Sequence, residues 1–510
     1  MASRTKNSIV NSTVSIVTQI LTVLINFIVK TVFIQVLGSE YLGVNGLFTN
    51  IITMLSLADL GIGMAIPYSL YKPLALKDEK KIKTLMRYYA KIYNIIGTIV
   101  LLVGLLITPF LSFLIKDMPD NIPYLSVIYI LFVIHSASSY FFVYKKFLID
   151  SDQKGYICSR IIFTFSTILS IIQIIILYTT KNYILFLLSS IVMVILQNIV
   201  ISKKAEKLYP YIKEKDYDKL SKEDVADLKQ NVSALFIYKV GSVIVNGTDN
   251  IIISKYIGLV AVGIYSNYLL IANSITNVLN QVFQAITSSI GNLVVTATQN
   301  RSEDIYRKLN FLNFWLYAVV SICIMVLINP FINLWIGEDY LLSTVVVFLF
   351  SLKIYISGMQ SVTNSFRNAY GLFYKARFRP VVMVISNVAI SLLLVKPFGV
   401  AGVLLGTVLS NLFTTAIMDP YVVYKYGFEK SSKEYFLQYV KYFVLYVLLM
   451  FLLSFIFSYI TVSNILIWIL MAIVLFVLVN VILIIIYHKT EEYRYFYSKF
   501  TPMIKKLIRR

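Results

Sequence analysis

The 510 residues are 58% apolar with a mean hydropathy of +0.78, which excludes every soluble class. A net charge of +21 would suit a nucleic-acid binder, but the 46 Lys and Arg are shared among short segments and form no single patch. The expectation is an all-α integral membrane protein with no nucleic-acid partner.

Fourteen apolar runs are long enough to cross a bilayer as helices, which takes about 20 residues each. In chain order they are 9–36, 44–70, 88–115, 124–147, 157–179, 183–202, 231–256, 260–290, 309–335, 341–366, 380–397, 400–424, 437–460 and 464–487. Of the 46 basic residues, 39 fall in the two ends and in or just beside every second gap between these predicted spans. In or just beside the intervening gaps stand only Lys116, Lys181, Lys255 and Lys396, and Lys30, Lys239 and Lys353 lie farther inside runs. Cytoplasmic loops carry the Lys/Arg excess, so both termini are expected in the cytoplasm.

The first run is too long for the apolar core of a signal peptide and lacks a small-residue cleavage site, so it is expected to persist as span 1. Cys158 and Cys323 both fall in spans and offer neither a disulfide framework nor a metal set. The external gaps near 37–43, 180–182 and 461–463 leave room for little more than a turn, which leaves no external domain for catalysis. The longest hydrophilic stretch, 203–230, mixes eight lysines with seven carboxylates and is expected to be a cytoplasmic linker.

The two sides of that linker resemble each other. Gly38-Ser-Glu-Tyr-Leu-Gly43 opens span 2, and Gly258-Leu-Val-Ala-Val-Gly263 opens span 8 at an offset of 220. Lys80-Lys81-Ile82 matches Glu303-Asp304-Ile305 at 223, and Gln153-Lys154 matches Tyr374-Lys375 at 221. The expected organisation is an N-terminal lobe 1–202, a linker 203–230, a C-terminal lobe 231–425, and spans 13 and 14 with a basic tail at 426–510. Each lobe has six spans, an even number, so the lobes are parallel pseudo-symmetric repeats, whose interface is the usual binding place in transporters. Spans 13 and 14 have no mate and are expected to be a lipid-facing addition.

Several spans carry polar residues on one face, at spacings of 3 and 4. Span 1 has Ser8, Asn11, Ser15, Gln19, Thr22, Asn26 and Lys30; span 2 has Thr49, Thr53, Ser56 and Asp59; span 7 has Lys239, Ser242, Asn246 and Asp249. Span 8 has Asn273, Asn277, Gln281, Gln284 and Ser288; span 10 has Lys353, Ser357, Gln360, Asn364 and Arg367. Uncharged members can glue helices together by hydrogen bonds. A charge at the bilayer centre costs roughly 2.5–3.5 kcal/mol on insertion scales, so the three lysines and two aspartates need a watery cavity or buried partners. A hydrated central cavity accounts for the charges and the uncharged stripes together. Arg367 is expected to snorkel at a cytoplasmic end, and Asp419, before Pro420, to be solvated. Gly402-x-x-x-Gly406 is a close-packing signal. The chain has no phosphate loop of the G-x-x-x-x-G-K-[ST] type, and Gly61-x-Gly63 lacks a third glycine. No cofactor and no enzymatic role is expected.

With these features the chain resembles the oligosaccharide-lipid flippases of the multidrug/oligosaccharidyl-lipid/polysaccharide exporter superfamily. The local text that carries the resemblance is Gly38-x-x-x-x-Gly43, Ala58-Asp59-Leu60-Gly61-Ile62-Gly63, and Thr248-Asp249-Asn250-Ile251-Ile252-Ile253-Ser254 followed by Gly258-x-x-x-x-Gly263-x-Tyr265-Ser266. The resemblance implies translocation of undecaprenyl-pyrophosphate-linked oligosaccharide repeat units across a bacterial cytoplasmic (inner) membrane by alternating access, for capsule or exopolysaccharide. It implies a polymerase and other polysaccharide-assembly proteins as partners. The family often places cationic residues in its cavity. Here they are Lys30, Lys239 and Lys353, which offer point charges where Arg would offer a bidentate fork. Gln19, Asn26, Asn246, Asn277, Gln281, Gln284, Gln360 and Asn364 complete the expected substrate surface for sugar hydroxyls. Asp59 and Asp249 either couple protons or sodium or balance the lysines. The alternative is a related exporter of the peptidoglycan lipid precursor or of drugs and ions. A cation exporter should favour carboxylates, whereas here three intramembrane Lys face two Asp.

Overall fold

The computed structural model describes residues 2–55, 69–71, 73–74, 76–116, 122–214, 247–372 and 375–508. All regular structure among them is helical. Among the described residues ten helices are long and apolar enough to cross a membrane, or eleven when a bent pair is counted as one span. The chain divides into two compact units, Met1–Gly263 and Ile264–Arg510.

In the first unit, α1 (Ala2–Leu55) runs for 54 residues, with Gly38 at φ 83 inside it. At ~1.5 Å per residue a straight helix of that length would reach about 80 Å, far beyond a ~30 Å hydrocarbon core. Glycine takes this conformation without a Cβ penalty, so predicted spans 1 and 2 meet at a one-residue kink. Next come α2 (Glu79–Ile107), α3 (Leu125–Tyr140) with the bent continuation α4 (Tyr144–Ser151), α5 (Gly155–Thr180) and α6 (Tyr183–Leu208). α1 packs on α5, α2 on α3, and α5 on α6. Asp78 caps α2 by accepting from Lys81 N at 2.9 Å. Between α5 and α6 the chain turns at Lys181 (φ 51), and Asn182 caps α6 through Ile184 N and Leu185 N.

The first residues of the expected linker are bolted to this unit. Lys83 Nζ donates to Glu214 at 2.9 Å, Lys145 Nζ to Glu206 at 2.5 Å, and Tyr209 OH to Asp152 at 2.7 Å. Residues 215–246, which hold the rest of the linker and most of span 7, lie outside the described residues.

A helix at 247–256 ends at Gly258 (φ 130), and α7 (Leu259–Thr296) begins at once. Its first turns cross the start of the second half of α1. An ideal Cβ on Gly43 would lie 2.0 Å from Leu259 O, and one on Gly263 would lie 2.5 Å from Ser39 O. The two glycine motifs, far apart in sequence, therefore touch backbone to backbone.

The second unit holds the rest of α7, then α8 (Gln299–Ile336), α9 (Thr344–Ala369), α10 (Arg379–Phe413), α11 (Thr415–Val423), α12 (Lys433–Phe457), α13 (Ile465–Tyr487) and α14 (Glu491–Ile508). Thr298 caps α8 through Arg301 N, at the same offset of 220 from the cap at Asp78. α10 breaks at Gly399 (φ 57), just after Pro397 and at an offset of 218 from the Lys181 turn. Beyond the break the chain folds back tightly: a Cβ on Gly402 would lie 2.1 Å from Leu394 O, and one on Gly406 would lie 2.2 Å from Ser391 Oγ.

Spans 13 and 14 are not a wholly lipid-facing addition. α12 buries Tyr435, Tyr439, Tyr442, Tyr446 and Leu453 on one stripe, while Leu437, Val440, Val444 and Leu448 remain exposed on the other. Tyr442 stacks on Phe314 at 4.1 Å and Tyr446 on Tyr355 at 3.8 Å between ring centroids. On α13 the buried residues are Met471, Leu475, Val479 and Leu483, and Asn480 Oδ1 accepts from Trp315 Nε1 at 2.8 Å. In lipid the burial of apolar surface does not drive helices together, so stacking and polar contacts of this kind hold the pair in place.

Candidate functional site

In the first unit, Gln19, Asn26 and Lys30 share a face of α1; Asn26 is exposed, and Gln19 and Lys30 are half-buried. Asp249 sits on the 247–256 helix and is 1% exposed. That helix lies against the second half of α1, where a Cβ on Gly247 would come within 2.7 Å of the Met54 side chain. The neighbouring Asn250 is equally buried, and neither end of its amide has a hydrogen-bond partner among the described residues. Asp59, Lys239 and Asn246 lie outside the described residues.

In the second unit, α9 carries Lys353, Gln360 and Asn364 at spacings of 7 and 4. Lys353 and Asn364 are half-buried, and Gln360 is 2% exposed. Lys353 Nζ donates to Tyr265 OH at 3.3 Å, which joins α9 to α7. Tyr265 belongs to the Gly263-x-Tyr265-Ser266 motif, yet nothing in the sequence singles out its side chain. Its neighbour Tyr268 donates to Asn329 Oδ1 at 2.6 Å and accepts from Leu342 N at 2.9 Å. Asn277 and Gln281 lie on an exposed face of α7, and the side chain of Gln284 lies outside the described residues.

Two expectations about charge are overturned here. Arg367 does not snorkel and Asp419 is not solvated: both are 0% exposed, with Arg367 Nη1 2.7 Å from Asp419 Oδ2. Arg379 Nη1 lies 3.5 Å from the same oxygen and donates to Thr415 Oγ1 at 3.1 Å. Pro420 suggests a helix boundary at Asp419. The helix instead restarts at Thr415, after the irregular Thr414, and runs through Pro420 to Val423, which carries Asp419 inward. The sequence signal is a lone carboxylate within the stretch 412–423, whose other residues carry no charge.

Chemically, Lys30 and Lys353 are cations placed in membrane-length helices among amides and hydroxyls. Each such setting, taken by itself, can attract anions and hydrogen-bond to sugar-like hydroxyls. Among the described residues no group of three His, Cys, Asp or Glu stands close enough to hold a metal ion.

No family model and no curated protein matches the chain. Solved structures do. An inward-facing multidrug resistance MATE transporter of the MOP superfamily matches with a TM-score of 0.64 at 15% identity, over 79% of this chain and 94% of that one. Lipid II flippase MurJ in an inward closed conformation matches with a TM-score of 0.62 at 15% identity, over 93% of this chain and 99% of that one. The fold is that of MATE and MurJ transporters. A variant of the Vibrio cholerae MATE transporter VcmN matches similarly, with a TM-score of 0.57 at 13% identity, over 84% and 99% of the two chains. The residues left outside the MurJ match are too few to contain both α12 and α13, so the C-terminal pair falls at least partly within the shared fold. The chain is a multi-pass membrane protein with a transporter fold.

Proposed function

We propose that this chain is a flippase. It carries undecaprenyl-pyrophosphate-linked oligosaccharide repeat units from the inner to the outer leaflet of a bacterial cytoplasmic membrane by alternating access. One observation carries the reading: Lys30, Lys239 and Lys353 outnumber Asp59 and Asp249 within membrane-spanning runs, beside amide and hydroxyl stripes, on a fold shared with a lipid II flippase. The lysines meet the pyrophosphate or acidic sugars as point charges. The amides meet sugar hydroxyls, and the lipid tail stays in the bilayer. Asp59 and Asp249 couple an ion or balance the lysines.

The architecture we propose for this role has fourteen spans, lobes at 1–202 and 231–425, and both termini in the cytoplasm. Dividing α1 at Gly38 and α10 at Gly399 supports that count. The recurrence of glycine breaks, helix caps and left-handed turns at offsets of 220, 220 and 218 supports the duplication.

The test is polymer export in cells whose variants are expressed at matched levels. Lys30→Ala and Lys239→Ala should stop export while the protein still reaches the membrane, and Arg at either position should restore part of it. Normal export from both Ala variants removes the lysines from substrate handling. If the chain instead sustains growth after depletion of the resident lipid II flippase, and deleting it leaves polymer export intact, the cargo is the peptidoglycan precursor.

A further inference from the structure

A cavity of about 210 Å³ opens in the second unit where the N-terminal parts of α8, α12 and α14 come together. One water needs only ~10–15 Å³ of such space, so the cavity has room for a small polar group. Arg307 and Asn310 of α8, Glu434 and Tyr435 of α12, and Glu492 of α14 line it. Asn310 is 4% exposed, and its carboxamide oxygen has no hydrogen-bond partner among the described residues. Arg307 and Glu434 are 3.9 Å apart, with side chains 54% and 83% exposed. Their charges are held close at the mouth, and both remain accessible. The other acidic residues nearby have close partners: Glu303 pairs with Lys430, and Asp304 with Lys308 at 2.5 Å.

Both signs of charge stand at this mouth, over a wall that includes four tyrosines. An anionic headgroup would find Arg307 but meet Glu434 and Glu492. A zwitterion with an ammonium beside a phosphate satisfies both. The ammonium has two carboxylates, the Asn310 oxygen and aromatic faces, and the phosphate has a guanidinium. The source is a lipid, because Leu437 lines the same cavity at 61% exposure and the exposed stripe continues down α12 through Val440, Val444 and Leu448. That stripe is a track for acyl chains beginning at the headgroup. The three segments that form the cavity, 301–308, 425–441 and 489–510, are basic ones, so the leaflet is the one facing the basic loops.

We propose that this cavity is a binding site for a phospholipid with a zwitterionic aminophosphate headgroup, held by Arg307, Glu434, Glu492 and Asn310. Native mass spectrometry of the full chain tests it, with phosphatidylethanolamine, phosphatidylglycerol and soluble glycerophosphoethanolamine as probes. Phosphatidylethanolamine should bind about tenfold more tightly than phosphatidylglycerol, roughly 1.4 kcal/mol. Arg307→Gln and Glu434→Gln should each abolish that preference. Both side chains are exposed, so the variants should melt at the wild-type temperature without lipid, which separates lost binding from misfolding. Equal binding of the two lipids, equal binding of the soluble headgroup, or a preference that survives Glu434→Gln would overturn the proposal.

Discussion

The crossing of Gly43 and Gly263 makes the strongest mechanical prediction. An alanine Cβ at position 43 would sit 2.0 Å from Leu259 O and 2.6 Å from its carbonyl carbon, whereas ordinary contact begins near 3.4 Å. Leu259 must then retreat by more than an ångström. The obstacle is backbone, so no rotamer change relieves it. Overpacking of this kind costs about 1–3 kcal/mol, and Gly43→Ala belongs near the top of that range. Gly263→Ala meets Ser39 O at 2.5 Å, needs a smaller retreat and should cost less. The same separation of the two helix starts accommodates both methyl groups, so the double variant should lose less stability than the two single losses added together. Gly291→Ala is the control, because nothing lies within 4 Å of a Cβ there. Purified variants would be heated in detergent and the folded monodisperse fraction followed by size-exclusion chromatography. The expected order of melting temperature is wild type and Gly291→Ala highest, then Gly263→Ala, then Gly43→Ala. A Gly43→Ala protein that melts with the wild type would refute the close approach and the reasoning built on it.

Other outcomes follow from single contacts. Asp419→Ala strands two buried guanidinium groups and should cost about 3–5 kcal/mol, as breaking buried pairs does; recovery of correctly folded protein from membranes measures it, and wild-type yield would contradict the pairing. Trp315→Phe removes the hydrogen bond to Asn480, a type worth about 0.6 kcal/mol on average in membranes, so a small drop in melting temperature is expected, whereas a loss of folding would mean that the contact does far more. A cysteine placed near residue 215 should resist labelling from outside intact cells, and labelling there would reverse the proposed orientation. If Asp249 only balances Lys239, the double change Lys239→Ala with Asp249→Ala should impair export less than either single change; an Asp249→Asn variant that binds substrate but does not transport it indicates ion coupling instead.

Much of this fold is legible in the sequence because a bilayer allows few solutions. Every buried backbone group must be paired within its own segment, so long apolar runs mean helices. The kinks at Gly38 and Gly399 fall in short gaps between predicted spans, since a reversal without a loop needs a residue that tolerates positive φ. Two features escape such a reading. The tyrosines at 435, 439, 442 and 446 pass for apolar mass, although their spacing of 4, 3 and 4 already marks one helix face. Distance from predicted span ends misplaces both Asp419 and Arg367: the helix tolerates Pro420 and carries Asp419 inward, where it meets Arg367. Their pairing joins two separate helices, a tertiary fact that one sequence does not display.

The buried charges sort into two kinds, and the distinction bears on transport. Arg367 and Arg379 converge on the Asp419 carboxylate, with Arg367 and Asp419 wholly buried. Separating them would expose charges in a poorly solvating interior, so this cluster locks α9, α10 and α11 into one body. Lys30 and Lys353 are only half-buried, and on the proposed function they are the charges that meet the substrate. A transporter that alternates between states needs rigid bodies and adjustable charges in different places. Asp419→Ala should therefore lower folded yield. Lys353→Ala should leave yield intact and, on the proposed function, lower transport. If Lys353→Ala lowers folded yield as much as Asp419→Ala does, then Lys353 belongs with the structural charges, and its contact with Tyr265 is scaffold.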